Sequence, residues 1–192
     1  MEFKLLTQYT SEDQSLLGPC GYRSHHKYEV SRSGTAECMT IQIKRVPLPE
    51  PYVKEWQNDP DELEEYNRIA PLGHSWGAYM DGRLAGAVIG EPQTWNNTLL
   101  ISSFHVAEPY QHRGIGSGLM RTFLNAAGEA GFRAVVLETQ NTNAPAIDFY
   151  RRCGFGIEGL DMSLYSNEDL GREVAIYMRY KFPSTPGAAG LA

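Results

Sequence analysis

The sequence predicts an α/β (α+β) fold with a mixed central sheet of about seven strands and flanking helices. Three observations predict it. Asp81-Gly82 separates two apolar segments, SWGAYM and RLAGAVIG, and Asp-Gly in this setting is a strong signal of a β-hairpin. A glycine-rich turn at 111–118 separates a strand-like segment from a segment with helical periodicity. The apolar run at 134–138 is typical of a strand buried on both faces. Together these patterns predict an antiparallel meander followed by a βαβ unit.

The composition favours one compact domain with a full core, because 42% of the 192 residues are hydrophobic and 11% are aromatic. No apolar run approaches the roughly 18 residues that span a bilayer, and the first residues lack a basic-then-apolar signal pattern. We therefore expect a cytoplasmic protein that does not bind membranes. The three cysteines, Cys20, Cys38 and Cys153, are widely spaced, which favours reduced thiols over a disulfide framework or a zinc site.

The charge balance excludes some partners. Seventeen basic and 23 acidic residues give a net charge of −6, which argues against general nucleic-acid binding and mildly favours a small cationic substrate. No metal is expected, because no pair of histidines has the spacing of a helical metal site. The histidines are His25, His26, His74, His105 and His112.

The first third of the chain gives the weakest signals. Residues 1–37 show poor periodicity and are treated as an N-terminal extension of uncertain structure. A short helix and a short strand are both compatible with this segment. Residues 38–46 alternate apolar and polar side chains, so we expect a half-buried strand that three following prolines stop, Pro47, Pro49 and Pro51.

The segment 51–68 predicts a short helix that is interrupted and restarts at Asp59-Pro60, with Asp59 as the cap and Pro60 in the first turn. This acidic segment is either a solvated helix face or an acidic surface that attracts a cationic substrate.

The elements after the 74–90 hairpin follow from periodicity and capping signals. We expect a third meander strand at 99–106, a helix at 115–129 that Gly131 stops, and a strand at 134–138 parallel to the third strand. A brief helix follows, capped by Asn143 and ended by Gly154. Strands at 157–165 and 173–182, joined by a polar turn at 166–172, close the domain before a disordered tail at 183–192.

The glycine-rich turn has the features of an anion site, because it leaves the first helical N–H groups unpaired. A P-loop is excluded since Gly-Lys-Ser/Thr is absent, and a dinucleotide loop is excluded since Leu119 replaces its third glycine. The pattern Gln-x-x-Gly-x-Gly, between a strand and a helix, resembles the pyrophosphate loop of the GNAT superfamily of acyl-CoA-dependent N-acetyltransferases. For the loop alone, an ordinary strand-to-helix turn remains open. The order of elements over 38–182 is also similar to the GNAT topology, so we expect residues 38–182 to form the N-acetyltransferase domain.

The resemblance implies acetyl-CoA as cosubstrate and assigns residues to it. The pyrophosphate would lie on the loop, Gln111, His112, Arg113, Gly114, Ile115, Gly116 and Ser117. The pantetheine arm would run along the main chain of Phe104, His105 and Val106, where an N–H would polarise the thioester carbonyl. The helix after the second parallel strand would contribute Asn143, Ala146 and Tyr150.

Acetyl transfer to an amine needs a base and an acid, because an alkylammonium with a pKa near ~10.4 cannot attack and the thiolate leaves more readily beside a proton donor. The pattern Phe149-Tyr150-x-x-x-Gly154-Phe155 matches the GNAT tyrosine beside the CoA sulfur, so Tyr150 is the candidate acid; the alternative is a core tyrosine. Glu138 is the first candidate base, and its alternative is an exposed strand-end glutamate. His105 is the second candidate, since imidazole titrates near neutral pH, and Glu173 is the third.

Two further segments, LETQNTNAPAIDFYRRCGF and EVAIYMRY, look like the C-terminal half of streptothricin acetyltransferases. Those enzymes acetylate the β-lysine amine of a cationic antibiotic. They are expected to have an acidic residue near the position where this chain has Ser103. The implied function is acetyl-CoA-dependent N-acetylation of a small cationic amine, with a streptothricin-like antibiotic as one acceptor. A protein or peptide N-acetyltransferase and a non-catalytic CoA-binding module stay open. Dimers are common among the proteins it resembles, so a homodimer is one oligomeric state that the resemblance allows.

Overall fold

A computed structural model describes residues 1–56, 59–165 and 173–183. Its strands are β1 (Glu2–Leu6), β2 (Cys20–Gly34), β3 (Met39–Trp56), β4 (Ser75–Met80), β5 (Arg83–Gln93), β6 (Thr98–Val106), β7 (Ala134–Gln140), β8 (Gly156–Asp161) and β9 (Ala175–Lys181). Its α-helices are α1 (Ser11–Leu17), α2 (Pro60–Ile69), α3 (Ile115–Glu129) and α4 (Ala144–Arg152), and short 3-10 helices lie at Ala70–Leu72 and Glu108–Tyr110. The polar turn expected at 166–172 and the tail expected at 183–192 lie outside the described residues, apart from Pro183.

Seven strands form a mixed sheet in the order β1-β4-β5-β6-β7-β9-β8, and β2 and β3 form a separate two-stranded sheet. Neighbours from β1 to β6 pair antiparallel, and β6 pairs with β7 in parallel. The predicted mixed sheet, meander and βαβ unit are therefore confirmed. One member differs from the prediction, because β1 takes the place in the sheet that we expected for residues 38–46.

The described residues divide into two compact units. The first unit holds residues 1–19, 59–137 and 179–183, and the second holds 20–56, 138–165 and 173–178. None of the helices in these described ranges is long and apolar enough to cross a membrane.

Helix starts in the first unit follow the capping rules. Asp59 accepts a hydrogen bond from Glu62 N–H at 2.8 Å while the Glu62 side chain accepts from Asp59 N–H, which confirms the predicted cap. Helix α1 has the same reciprocal arrangement at Thr10 and Asp13. Helices α1 and α2 cover one core of the unit, whose buried members are Leu6, Tyr9, Leu17, Tyr66, Ile69, Leu84, Ala87, Ile89 and Ala107.

The predicted hairpin and βαβ boundaries are also observed in this unit. Asp81 and Gly82 have φ angles of 49° and 79°, the left-handed pair that a tight hairpin turn requires. Helix α3 buries its apolar side and ends before Gly131, which has a φ of 80°. Within α3, Gly118 faces the ring of Phe3 so closely that a Cβ would lie 2.5 Å from a ring carbon.

The β2–β3 hairpin in the second unit corrects the sequence analysis. Strand β3 passes all three prolines and continues to Trp56, so the strand stop at Pro47 and the helix start near Pro51 were wrong. The register jumps between Ser24, which faces Tyr52, and His26, which faces Pro47, and this irregularity takes residues 48–51 out of the ladder. Proline is tolerated there because it has no N–H to donate and a two-stranded sheet has no central strand.

Helix α4 in the second unit has the predicted start and end. The Asn143 side chain accepts a hydrogen bond from Ala146 N–H at 3.2 Å, Pro145 lies in the first turn, and Gly154 follows with a φ of 96°. The helix buries Ile147 and Tyr150.

Candidate active site

The loop before α3 keeps a helix N-terminus open on the first unit. Gly114 is the N-cap residue with a φ of 80°, and no side chain in the described part of the chain caps the helix. Among the described residues, a Cβ at Gly114 would meet nothing within 4 Å, so the backbone angle and not space favours glycine. His112 also has a positive φ, of 59°, and the Gln111 side chain donates to the carbonyl of Val106 at 2.9 Å. The loop residues 111–114 are exposed, so the positive end of the helix dipole can meet an anion.

Strand β6 leads into this loop. Phe104, His105 and Val106 are half-buried and face Val88, Ala87 and Gly86 of β5. Burial lowers the pKa of His105, so its imidazole is neutral at neutral pH. The parallel ladder with β7 covers Thr98–Leu100, the first three residues of the strand.

Ser102 lies at an irregularity of β6 that the sequence did not predict. Ile101 faces Gly90 and Ser103 faces Ile89, so Ser102 is the extra residue of a bulge. Its hydroxyl oxygen is buried, and among the described residues it has no hydrogen-bond partner. A buried unsatisfied hydroxyl is costly, which makes this atom a candidate contact for a bound molecule.

Tyr150 on α4 is buried in the second unit, with 8% of its surface exposed. Its ring centroid lies 5.4 Å from that of Phe149 and 5.6 Å from that of Phe155. Burial, followed by the charges of Cys153 and Glu138, raises the pKa of Tyr150 above its ordinary value. The hydroxyl therefore keeps its proton at neutral pH.

Glu138 on β7 is half-buried and accepts a hydrogen bond from the hydroxyl of Tyr165. Burial raises the pKa of Glu138 above its ordinary value, and the charge of Glu173 adds to the rise. The hydrogen bond from Tyr165 and the charge of Lys54 oppose it without reversing it. A carboxyl group with a raised pKa is a better proton acceptor than an exposed glutamate.

A second carboxylate, Glu173, lies in a polar cluster of the same unit. We call this the Glu173 cluster, and it consists of Tyr22, Tyr52, Lys54, Thr142 and Glu173. One Glu173 oxygen lies within hydrogen-bonding distance of three hydroxyls, those of Thr142 at 3.1 Å, Tyr52 at 3.2 Å and Tyr22 at 3.3 Å. The Tyr22 and Thr142 hydroxyls are also 2.7 Å apart, so one of these two donates to the other. The other oxygen lies 2.6 Å from Nζ of Lys54. Burial alone would raise the pKa of Glu173, but Lys54 and the hydroxyl donors outweigh burial and lower it.

Sequence reasoning named Glu173 as the third candidate base, but it missed the partners of Glu173 in this cluster and Tyr165. Three of these residues lie on β2 and β3, at positions where the sequence shows no clear strand pattern. No local spacing links them to Glu173, which is 119 to 151 residues away. The predicted site residues are divided between the units. Those on β6 and at the start of α3 are in the first, and Glu138, Asn143, Ala146 and Tyr150 are in the second.

Comparison with known proteins identifies a family model that matches more than half of the chain. Residues 40–155 match the family model of the acetyltransferase (GNAT) family. The streptothricin acetyltransferase of Streptomyces lavendulae is 36% identical over 146 residues, which cover 73% of this chain and 76% of that protein.

Two solved structures are similar over nearly the whole chain. The crystal structure of nourseothricin acetyltransferase has a TM-score of 0.72 and 29% identity, covering 95% of this chain and 98% of that one. A streptothricin acetyltransferase homologue from Bacillus anthracis, solved in complex with acetyl coenzyme A, has a TM-score of 0.69 and 24% identity, covering 94% and 100%.

Proposed function

Because the chain belongs to the acetyltransferase (GNAT) family, we propose that it transfers the acetyl group of acetyl-CoA to a primary amine of a small cationic acceptor. We propose a streptothricin-type antibiotic as that acceptor, because the Streptomyces lavendulae relative, 36% identical, is a streptothricin acetyltransferase. The main observation that supports this reaction is that burial raises the pKa of the half-buried Glu138 carboxyl group. Glu138 lies in the same unit as Tyr150, whose hydroxyl keeps its proton.

Acetyl-CoA supplies an activated acetyl thioester, and the first unit has features that suit it. The uncapped start of α3 fits a pyrophosphate, which would contact Gln111, His112, Arg113, Gly114, Ile115, Gly116 and Ser117. The unsatisfied hydroxyl of Ser102 fits a polar group beside Phe104, His105 and Val106. We assign Asn143, Ala146 and Tyr150 to the same molecule. The Bacillus anthracis neighbour, which shares the fold, binds acetyl-CoA.

The acceptor amine must lose a proton before it attacks the thioester carbonyl, since its ammonium form has a pKa near ~10.4. Glu138 is the proposed base, because burial raises its pKa and so makes its carboxylate a better proton acceptor. His105 is the second candidate, because its imidazole is neutral and can accept a proton at neutral pH.

The leaving sulfur needs stabilisation as the nitrogen–carbon bond forms and the carbon–sulfur bond breaks. Tyr150 keeps its proton, so its hydroxyl is a ready hydrogen-bond donor to a thiolate. Because a CoA thiol has a pKa near ~8.5, by analogy with cysteine, the favourable role of Tyr150 is to donate a strong hydrogen bond with at most partial proton transfer.

An acceptor screen tests the proposed function. Purified protein is mixed with acetyl-CoA and with streptothricin, small alkylamines or a peptide with a free N-terminus, and CoA thiol release and product mass are followed. We expect monoacetylated streptothricin as the best product. Faster acetylation of the peptide would favour a protein N-acetyltransferase, and acetyl-CoA binding without transfer to any amine would favour a non-catalytic module.

A further inference from the structure

The Lys54 side chain occupies a place that suits the ammonium group of a substrate. We propose that the acceptor's primary ammonium binds where Nζ of Lys54 now lies, against Glu173 and the ring of Tyr165, and that Lys54 fills this site until an acceptor displaces it. This inference rests on the proposed function and deepens it, because it assigns the acceptor subsite and names its ligand as an unbranched alkylammonium.

The surroundings of Lys54 Nζ are those of a bound alkylammonium. Nζ lies 2.6 Å from one oxygen of Glu173 and 5.7 Å from the ring centroid of Tyr165. A carboxylate and an aromatic face are two groups that proteins use to bind organic cations. Neither group distinguishes the ammonium of Lys54 from that of a ligand with the same chemistry.

Glu173 stays in position when the ammonium leaves. Tyr52 and the hydrogen-bonded pair of Tyr22 and Thr142 hold one of its oxygens, while the other is turned to Lys54. The Glu173 side chain is 12% exposed, whereas that of Lys54 is 31% exposed and reaches the pair on a flexible four-carbon stem. Rotation of the lysine stem into solvent would therefore open the site without moving its carboxylate.

The site is connected to the proposed base through Tyr165. The face of this ring lies under the Lys54 ammonium, and its hydroxyl donates to Glu138. A bound acceptor ammonium would thus lie one side chain away from Glu138.

The test compares Lys54→Met, which keeps the length and loses the charge, with Lys54→Arg, which keeps the charge. Lys27→Met is the matched control, because Lys27 lies on β2 and pairs with Glu29 at 3.9 Å. The readouts are KM for streptothricin and its Kd by calorimetry in the presence of CoA. We expect Lys54→Met to lower both about fivefold, the scale of a partly exposed ion pair, and to change kcat less. Lys54→Arg keeps a competing cation, so it should not lower KM or Kd. Lys27→Met should stay near wild type.

The two failures can be told apart. If the wild type acetylates streptothricin but Lys54→Met has an unchanged or higher KM, the inference is wrong and the proposed function stands. If the wild type acetylates no amine, the proposed function is wrong. The calorimetric Kd for streptothricin then tests the inference. Tighter binding by Lys54→Met than by the wild type supports it, and equal or weaker binding overturns it.

A measurement on the wild type covers the case in which Lys54→Met does not fold. Saturating streptothricin should displace Lys54 into solvent and increase its labelling by an amine-reactive reagent, measured by mass spectrometry relative to Lys27. Unchanged or reduced labelling of Lys54 would overturn the proposal.

Discussion

Asn141 and Tyr28 exchange two hydrogen bonds across 113 residues of sequence. Tyr28 N–H donates to the Asn141 carbonyl at 2.8 Å, and the Asn141 side-chain amide donates to the Tyr28 carbonyl at 2.9 Å. Asn141 makes a second exchange with Val174, whose N–H donates to the Asn141 side-chain oxygen at 2.8 Å. One buried side chain therefore joins β2 to the segment that enters β9.

Asn141→Ala should destabilise the protein strongly. The substitution leaves the Tyr28 carbonyl and the Val174 N–H buried without these partners, at a cost of about 2–4 kcal/mol in the free energy of unfolding. Chemical denaturation measures it. Asn125→Ala, at an exposed position of α3, is the control and should cost nothing. A loss below about 1 kcal/mol in Asn141→Ala would contradict the role of this side chain.

Tyr150→Phe should lower kcat about a hundredfold and leave the Kd for acetyl-CoA within about threefold. The ring contacts with Phe149 and Phe155 are kept, and only the hydroxyl that would donate to the leaving sulfur is lost. Steady-state kinetics and calorimetry give the two numbers. An equal loss of affinity for acetyl-CoA and of kcat would show that Tyr150 acts only in binding.

The acidic limb of the kcat/KM profile should lie above pH 4.5, the ordinary pKa of a glutamate, because burial raises the pKa of Glu138 and the base must be ionised. Activity is then lost as pH falls through that raised pKa. Tyr165→Phe removes a donor to the carboxylate, so the limb should move to higher pH. Tyr79→Phe in β4 is the control. A limb that Glu138→Gln leaves in place would exclude Glu138 as the titrating base.

Ser102→Ala should leave the free protein as stable as the wild type or about 1 kcal/mol more stable, because it removes a buried hydroxyl without a partner among the described residues. If that hydroxyl contacts acetyl-CoA, the rise in Tm that acetyl-CoA produces should be smaller in the variant. Thermal unfolding with and without acetyl-CoA measures both. A clear destabilisation of the free variant would show that the hydroxyl has a partner.

Glu173→Gln should reduce stability at neutral pH and lose this effect in acid. The pKa of Glu173 is lowered in the folded protein, so its contribution is present above the ordinary value of 4.5 and disappears as pH falls through the lowered pKa. Denaturation of both proteins at a series of pH values from 7 downwards follows this loss. A difference between the two proteins that stays the same across the series would show that the charge of Glu173 is not involved.

Local chemistry explains which elements the sequence predicted. The turn at Asp81-Gly82, the caps at Asp59 and Asn143 and the stop at Gly131 each depend on residues within a few positions of one another. The observed helix bounds of α3 and α4 agree with these signals. The candidate cofactor loop was visible for the same reason, because its glycines, strand and helix are contiguous.

The β2–β3 hairpin and the partners of Glu173 depend on distant residues, and the sequence did not predict them. Pro47 is a strand breaker by its own chemistry, yet a two-stranded ladder with a register shift tolerates it. The sequence named Glu138 as the first candidate base, but it did not predict the hydrogen bond from the hydroxyl of Tyr165. Burial and partner choice at these positions are set by tertiary contacts.

The order of synthesis gives the Tyr28 contacts a kinetic consequence. Its hydroxyl donates to Asp148 at 2.7 Å, 120 residues later in the chain, and its backbone carbonyl accepts a hydrogen bond from Asn141. The β2–β3 hairpin can form soon after it leaves the ribosome. Asn141 and Asp148, which bind Tyr28, are translated only when most of the chain has been made. High contact order of this kind slows folding, so docking of the hairpin should be a late event in the maturation of the second unit.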